Sequence, residues 1–179
     1  MHVLITRNLN DSEDLIKKFK SNGLKVSNLP LLQIEKVNYN DTKLSSFEVI
    51  IFTSSNAIRF LELKNIKKNL LCFCVGSSTE KTARSKGFQR VFAADGNVSN
   101  LKELILQNLP TKNKKILYVS GKTVSYPLDK ELTLEGYNVK RLVNYSVRYN
   151  ENLDLSFLDS LKKDMPDLVY VYSENSAKS

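Results

Sequence analysis

Short apolar runs alternate with amphipathic segments along almost the whole chain. The apolar runs lack regular polar alternation, which is typical of strands covered on both faces of a parallel sheet. They predict strands at 2–6, 24–28, 48–53, 70–75, 90–93, 115–119, 137–142 and 167–172. The intervening segments predict helices near 11–22, 55–63, 78–86, 98–109, 123–135 and 154–163. This alternation predicts an α/β fold built on doubly wound parallel sheets.

The pattern also repeats once along the chain. A constant 113 residues separates Gly23 from Gly136, and the same offset holds for the pairs Val26–Val139 and Leu29–Leu142. Such self-similarity predicts two related α/β domains. The first copy continues to about residue 109, and by the same spacing the second would run roughly forty residues past Ser179. We therefore expect one domain to be truncated, and the 179-residue chain to unfold more easily than an extended one.

Two extended segments, 31–37 and 143–149, lie at equivalent places in the two copies and carry neither turn signals nor a helical period. We interpret them as a two-stranded connector between the domains. Domain one is then discontinuous, made of residues 1–33 and 150–179. Domain two comprises residues 38–143. These bounds follow from the repeat and from the interruption of the βαβ pattern.

Composition narrows the choice of protein class. A hydrophobic content of 41% with 26% charged residues is ordinary for a globular protein, and no apolar run approaches a membrane span. No signal peptide precedes the first strand, so we expect a cytoplasmic protein. We also expect a monomer. Cys72 and Cys74 are expected to be buried, reduced thiols, and no motif predicts a metal site.

The formal net charge of +8 favours anionic partners. The lysines are dispersed, so a solvated basic surface is the default interpretation of this charge. No base-reading motif is present, and nucleic acid therefore ranks below a small polyanion as a partner. The stretch Ser120–Thr123 lacks the glycine that a P-loop needs five residues before Gly121, where Ile116 stands. No G-x-G-x-x-G is present either. A kinase, ATPase or dehydrogenase is therefore disfavoured.

Polar residues follow four of the predicted strands, where open α/β sheets bind ligands at helix N-termini. Any one of these turns is explained by helix capping; for example, Glu80 stands three residues after Ser77, as in a capping box. Several in one chain favour an anion-binding cleft. The candidates are Thr53, Ser54, Asn56, Gly76, Ser77, Thr79, Ser120, Gly121, Lys122, Ser173 and Asn175.

Few residues of the chain suit acid–base chemistry. The only histidine, His2, is expected on the first strand, away from any carboxyl end, which disfavours a Ser-His-Asp site. Tyr145 on the second connector is the best candidate for a proton donor, although a half-buried structural tyrosine explains the position equally well. An enzyme with this inventory would work by positioning a reactive substrate with hydroxyls and backbone amides.

The order of motifs resembles the uroporphyrinogen-III synthase family over nearly the whole chain. F-T-S-x-N-A after an apolar strand, followed by V-G-x-x-T and G-F, is specific in this order. The matching segments are Val3–Arg7, Leu29–Leu32, Phe52–Ala57, Val75–Thr79, Gly87–Phe88 and Leu117–Gly121, with Gly136 and Tyr145. The resemblance implies two α/β domains joined by a two-stranded ladder, with the active site in the cleft between them.

The resemblance further implies the reaction. The enzyme would be a cyclising hydro-lyase acting on hydroxymethylbilane, a linear tetrapyrrole with eight carboxylates. It would remove water, invert the last pyrrole ring through a spiro intermediate and close uroporphyrinogen III, with no cofactor or metal. Tyr145 would assist departure of the hydroxyl. Substrate carboxylates would be bound by Arg7, Lys122 and the turn residues Thr53, Ser54, Asn56, Gly76, Ser77, Thr79, Ser120, Gly121, Ser173 and Asn175.

An alternative from a different class is a non-enzymatic two-domain module that binds a small polyanion in its cleft. Such a module has no need of a phenol at the connector, so Tyr145 discriminates between the two hypotheses.

Overall fold

The computed structural model describes residues 1–40, 44–150 and 153–171. The chain divides into two compact units. The smaller unit comprises Met1–Ile34 and Val147–Ser179, and the larger unit comprises Glu35–Ser146. The strands are β1 (His2–Ile5), β2 (Lys25–Asn28), β3 (Leu32–Lys36), β4 (Val49–Phe52), β5 (Leu71–Val75), β6 (Arg90–Ala94), β7 (Lys115–Gly121), β8 (Asn138–Tyr149) and β9 (Leu168–Tyr170). The α-helices are α1 (Glu13–Ser21), α2 (Ser55–Arg59), α3 (Ser77–Ser85), α4 (Val98–Asn108), α5 (Leu128–Leu134) and α6 (Leu155–Lys163).

The smaller unit is built on a three-stranded sheet in the order β2-β1-β9. Both neighbours run parallel to β1, so α1 connects β1 to β2 as a crossover helix. Val3 and Ile5 of the central strand are fully buried, whereas Leu168 and Val169 of β9 are about half exposed. Phe19 of α1 meets Tyr170 edge to face, with ring centroids 6.2 Å apart.

The larger unit holds most of a six-stranded sheet in the order β3-β8-β7-β4-β5-β6, of which β3 and β8 include residues assigned to the smaller unit. The pairs β8–β7, β7–β4, β4–β5 and β5–β6 are all parallel. Apolar side chains cover both faces of the central strands, which is why these strands read as continuous apolar runs. On one face Ile50 and Phe52 pack with Phe88, and on the other Val49 and Ile51 pack against α4 and α5. The prediction of an α/β fold with parallel sheets is confirmed.

Two helices, α5 and α2, differ most from their predicted ranges. Helix α5 begins at Leu128 rather than at 123, because Pro127 precedes it and disfavours a helical conformation at Tyr126. Helix α2 ends at Arg59 rather than at 63. There the Tyr39 hydroxyl accepts a hydrogen bond from the backbone N–H of Glu62 (2.6 Å), so this amide is satisfied without a continued helix.

Strand β8 continues through the segment expected to be a separate connector. Its register against β7 shifts by one residue: Val143 lies opposite Ser120, and Tyr145 lies opposite Gly121. Asn144 is therefore the extra residue of a β-bulge. Its side chain is fully buried, and Nδ2 donates to the carbonyl of Ala57 in α2 (2.7 Å).

Replacing Asn144 by alanine is expected to destabilise the larger unit by about 1–3 kcal/mol, because the Ala57 carbonyl would lose its buried hydrogen-bond donor. Urea unfolding followed by far-UV circular dichroism measures the change. Exposed Asn138, at the start of the same strand, provides the control when it is replaced by alanine. Equal losses in the two variants would contradict the expectation.

Cys72 and Cys74 are free, buried cysteines on β5. Burial raises the pKa of the Cys74 thiol to about 12 from its ordinary value of 9.0, and it raises the pKa of Cys72 as well. The folded state thus keeps protons that the unfolded chain releases, and stability is lost as pH rises above the unfolded pKa.

We expect the wild type to lose more stability between about pH 8 and about pH 10 than a Cys72→Ala/Cys74→Ala variant. Urea midpoints at both pH values test this; equal losses would contradict it.

Candidate functional site

Three of the predicted turns lie at one edge of the larger unit's sheet. Strand β4 lies between β7 and β5, and all three are parallel. Phe52 at the end of β4 is paired in register with Val119 of β7 and with Cys74 of β5. The turns that follow these three strands are therefore neighbours. The carboxyl edge of a parallel sheet is where open α/β folds bind ligands.

The turn after β4 contributes hydroxyls and an amide. Ser54 is the N-cap of α2, and its hydroxyl accepts from the backbone N–H of Asn56 (3.3 Å). The Thr53 hydroxyl lies 3.3 Å from the hydroxyl of Tyr118, and the two share a hydrogen bond. All three turn residues are partly exposed. Their role in binding substrate stays a prediction.

The turn after β5 presents an uncapped helix N-terminus. Gly76 is the N-cap of α3 with φ of +77°, which favours glycine, and it supplies no side-chain cap. Among the described residues, the backbone N–H groups of Ser77, Ser78 and Thr79 have no hydrogen-bond partner. The expected capping box is wrong, because the N-cap is Gly76 and Ser77 is already the first residue of the helix; the Glu80 carboxylate pairs with Arg84 (2.8 Å). An uncapped N-terminus of this kind attracts carboxylates.

The turn after β7 is held by hydrogen bonds. Ser120 is only 1% exposed. Its hydroxyl donates to the Gly121 carbonyl (3.1 Å) and accepts from Nε of Arg141 (2.8 Å). The Lys122 side chain is exposed, while its backbone N–H donates to the carbonyl of Tyr145 (2.8 Å). The turn is thus joined to β8 through both its side chains and its backbone.

Tyr145 is half-buried, with its ring in two close contacts. Phe60 stacks on it at a centroid distance of 6.4 Å and an interplanar angle of 27°. Gly121 lies so close that a Cβ there would fall 2.8 Å from two ring carbons. The Tyr145 hydroxyl has no hydrogen-bond partner among the described residues and is therefore available as a donor.

Tyr145 lines a cavity of about 190 Å³ together with Thr53 and Tyr118. The rest of the wall is formed by Ser54, Val98, Thr123, Val124, Ser125 and Tyr126. Burial raises the pKa of the Tyr118 phenol, which stays neutral and able to donate. Sequence reasoning missed Tyr118 because it lies inside an apolar strand. Tyr118 and Ser120 are two residues apart on β7, so their side chains lie on the same face of the sheet. This spacing could have identified Tyr118 from the sequence.

A family model described as uroporphyrinogen-III synthase HemD matches residues 13–179. The chain belongs to this family. The resemblance noted from the sequence motifs is thereby confirmed. Members of the family are enzymes of tetrapyrrole and heme biosynthesis that act on a small molecule. No curated protein sequence matches the chain significantly.

Solved structures of uroporphyrinogen-III synthases share its fold. The enzyme from Helicobacter pylori aligns with a TM-score of 0.68 at 23% identity, covering 99% of this chain and 75% of the other. A mutant enzyme from the extremely thermophilic bacterium Thermus thermophilus aligns with a TM-score of 0.65 at 16% identity and the same coverage. The wild-type enzyme of that bacterium aligns with a TM-score of 0.52 at 16% identity.

The smaller unit of this uroporphyrinogen-III synthase family member carries the remaining predicted residues. Arg7 follows β1, and its Nε lies 3.5 Å from the Asp11 carboxylate. Ser173 and Asn175 lie outside the described residues. His2 is 5% exposed at the amino end of β1, where Nε2 bonds the Ser27 hydroxyl (2.8 Å) and Nδ1 bonds the Asp164 carbonyl (3.1 Å).

The part of the chain that the structure describes holds neither a membrane-spanning helix nor a cluster of metal ligands. No helix there is long and apolar enough to cross a membrane. Nor do three or more His, Cys, Asp or Glu side chains of those residues converge as metal ligands would.

Proposed function

We propose that this chain is a uroporphyrinogen-III synthase that converts hydroxymethylbilane into uroporphyrinogen III and water. We propose also that its two compact units are the two domains expected from the repeat. The proposal about the reaction is carried by the family match over residues 13–179. It is supported by one feature of the site: a phenol without a hydrogen-bond partner among the described residues, that of Tyr145, lines a cavity in the unit that also presents an uncapped helix N-terminus.

The first step is loss of the hydroxymethyl hydroxyl. The Tyr145 phenol gives its proton to this oxygen as the carbon–oxygen bond breaks, and water leaves with the bonding electrons. The pyrrole nitrogen supplies electrons to the remaining carbon and keeps its proton, which gives a protonated azafulvene beside the phenolate. The electrophilic carbon is then attacked by the substituted carbon of the last ring, forming the spiro intermediate. Rearrangement and ring closure release a proton, which restores the phenol.

Binding of the carboxylates sets which carbon attacks. The N–H groups of Ser77, Ser78 and Thr79 at the start of α3 are oriented to receive one carboxylate with charge-assisted hydrogen bonds. The hydroxyls of Thr53 and Ser54 and the side chain of Asn56 would contact a second. Holding the substrate at several points fixes the last ring against the reactive carbon. Arg7, Ser173 and Asn175 stay predicted contacts of the smaller unit.

The reaction involves no net oxidation or reduction, and the azafulvene is reactive by itself. We therefore propose a hydro-lyase that needs no cofactor. The enzyme's task is mainly to orient an intermediate that would otherwise close without rearrangement.

The product isomer tests the proposed function. Freshly prepared hydroxymethylbilane is incubated with the protein, oxidised to porphyrins and separated by chromatography. Unassisted closure gives the type I ring, so we expect a dominant type III product. Type I product alone, at a rate equal to that without protein, would overturn the proposal.

Tyr145→Phe tests the role assigned to the phenol. Because the phenylalanine ring keeps the stacking with Phe60 but has no proton to give, kcat should fall by more than about threefold, roughly 0.6 kcal/mol on the barrier. Tyr149→Phe, at an exposed position of the same strand, provides the control. A smaller fall in Tyr145→Phe would mean that positioning alone carries the rate.

A further inference from the structure

Arg141 on β8 makes three hydrogen bonds to three consecutive residues of the turn after β7. Its Nε donates to the Ser120 hydroxyl (2.8 Å). Its Nη2 donates to the carbonyls of Gly121 (2.8 Å) and Lys122 (3.0 Å). Sequence reasoning gave no role to this residue.

The three acceptors suit a guanidinium and no other side chain. They lie at the end of β7, where the register shift leaves carbonyl groups outside the regular ladder. A planar fork reaches all three acceptors at once from one side. A lysine ammonium has a single nitrogen and cannot reproduce this spacing. Arg141 therefore fixes the backbone course of residues 120–122.

The same turn determines where the ring of Tyr145 can lie. The Lys122 N–H donates to the Tyr145 carbonyl (2.8 Å). A Cβ at Gly121 would lie 2.8 Å from Cε2 and Cζ of that ring and 3.1 Å from its hydroxyl. Gly121 is not among the glycines with positive φ, so it is needed for close approach rather than for its backbone conformation. A shift of the turn would thus displace the phenol.

We propose that Arg141 is a positioning residue for Tyr145 and acts through the turn at Ser120–Lys122. Its catalytic consequence rests on the proposed role of Tyr145 in the reaction. Arg141 holds the turn, Gly121 leaves room for the ring, and Phe60 supports the ring by stacking. The phenol hydroxyl is thereby kept in the cavity, without a partner among the described residues.

The position of the ring is measured directly by ¹⁹F NMR on protein labelled with 3-fluorotyrosine, with the resonance of Tyr145 assigned from its absence in Tyr145→Phe. Arg141→Gln should shift that resonance from its wild-type position. Arg141→Lys should shift it as well, because lysine keeps the charge but not the fork of donors. Gly121→Ala should also shift it while Arg141 stays in place, because the added methyl meets the far end of the ring. Lys140→Gln, at the exposed neighbouring position, should leave it unchanged. An unshifted resonance in both Arg141→Gln and Gly121→Ala would overturn the proposal.

Kinetics separate this proposal from the proposed function. We expect Arg141→Gln to lower kcat by about threefold or more, but by no larger factor than Tyr145→Phe does, with KM changed less than about twofold. In a Tyr145→Phe background it should have no further effect. A purely structural role would give the same loss in both backgrounds and would count against the proposal. A shifted resonance with unchanged kcat would support the positioning of the ring and instead contradict the catalytic role of Tyr145.

Discussion

Replacing Phe52 by alanine should lower the free energy of unfolding of the larger unit by about 3–5 kcal/mol, the cost of a large cavity in a packed core. Phe52 is fully buried at the end of β4, and its ring meets Phe88 edge to face at 5.6 Å. It packs on the face of the sheet that also carries Ile50 and Leu117. No side chain nearby can fill the space without leaving its own contacts.

Urea unfolding followed by far-UV circular dichroism suits this measurement, because the chain has no tryptophan to report on the core. Leu134→Ala is the matched control: it also truncates an apolar side chain, but one that is 84% exposed. We expect that control to change stability by less than about 0.5 kcal/mol. A loss below about 1 kcal/mol in Phe52→Ala would show that the core collapses around the missing ring.

Ser78→Asp should raise KM for hydroxymethylbilane by about 10- to 100-fold. That factor corresponds to the binding free energy of one or two lost charge-assisted hydrogen bonds. Ser78 is the second residue of α3, whose first N–H groups have no partner among the described residues. The new carboxylate would occupy and neutralise the site proposed for a substrate carboxylate. Because the reacting ring is not touched, kcat should stay within about twofold.

Ser99→Asp provides the matched control for this prediction. Ser99 is exposed and is also the second residue of its helix, but α4 is already capped by the side chain of Asn97. Both substitutions add the same charge at the same helical position and should stabilise their helices alike, by about 0.3–1 kcal/mol. Equal KM values in the two variants would show that the substrate carboxylate does not bind at the N-terminus of α3.

The parallel sheet could be predicted from the sequence because its signals are local. Apolar runs such as Val49–Phe52 and Leu71–Val75 are long enough to identify. Gly23, Gly87 and Gly136 mark the ends of helices and have positive φ in the structure. The turns at Thr53, Gly76 and Gly121 were predictable for the same reason: polar residues directly follow apolar strands.

The contacts between these elements could not be predicted, because they depend on register. A one-residue shift against β7 makes Asn144 the extra residue of a bulge and sets Tyr145 opposite Gly121. Nothing in the local pattern indicates that shift. The hydrogen bonds of Arg141 depend on its pairing with Tyr118 on the neighbouring strand, which a single sequence does not reveal. The capping box failed because α3 begins at Ser77 with Gly76 as its N-cap, one residue earlier than the box requires.

The discontinuous composition of the smaller unit has a consequence for the order of folding. Its central strand β1 is made first, but one of its partners, β9, lies more than 160 residues later in the chain. The larger unit is formed by one uninterrupted segment, Glu35–Ser146, which can fold while the rest of the chain is still being synthesised. In the smaller unit, β1 cannot pair with β9 until β9 has emerged. Until then the edge of β1 that pairs with β9 stays open, and an unpaired strand edge favours association with other chains.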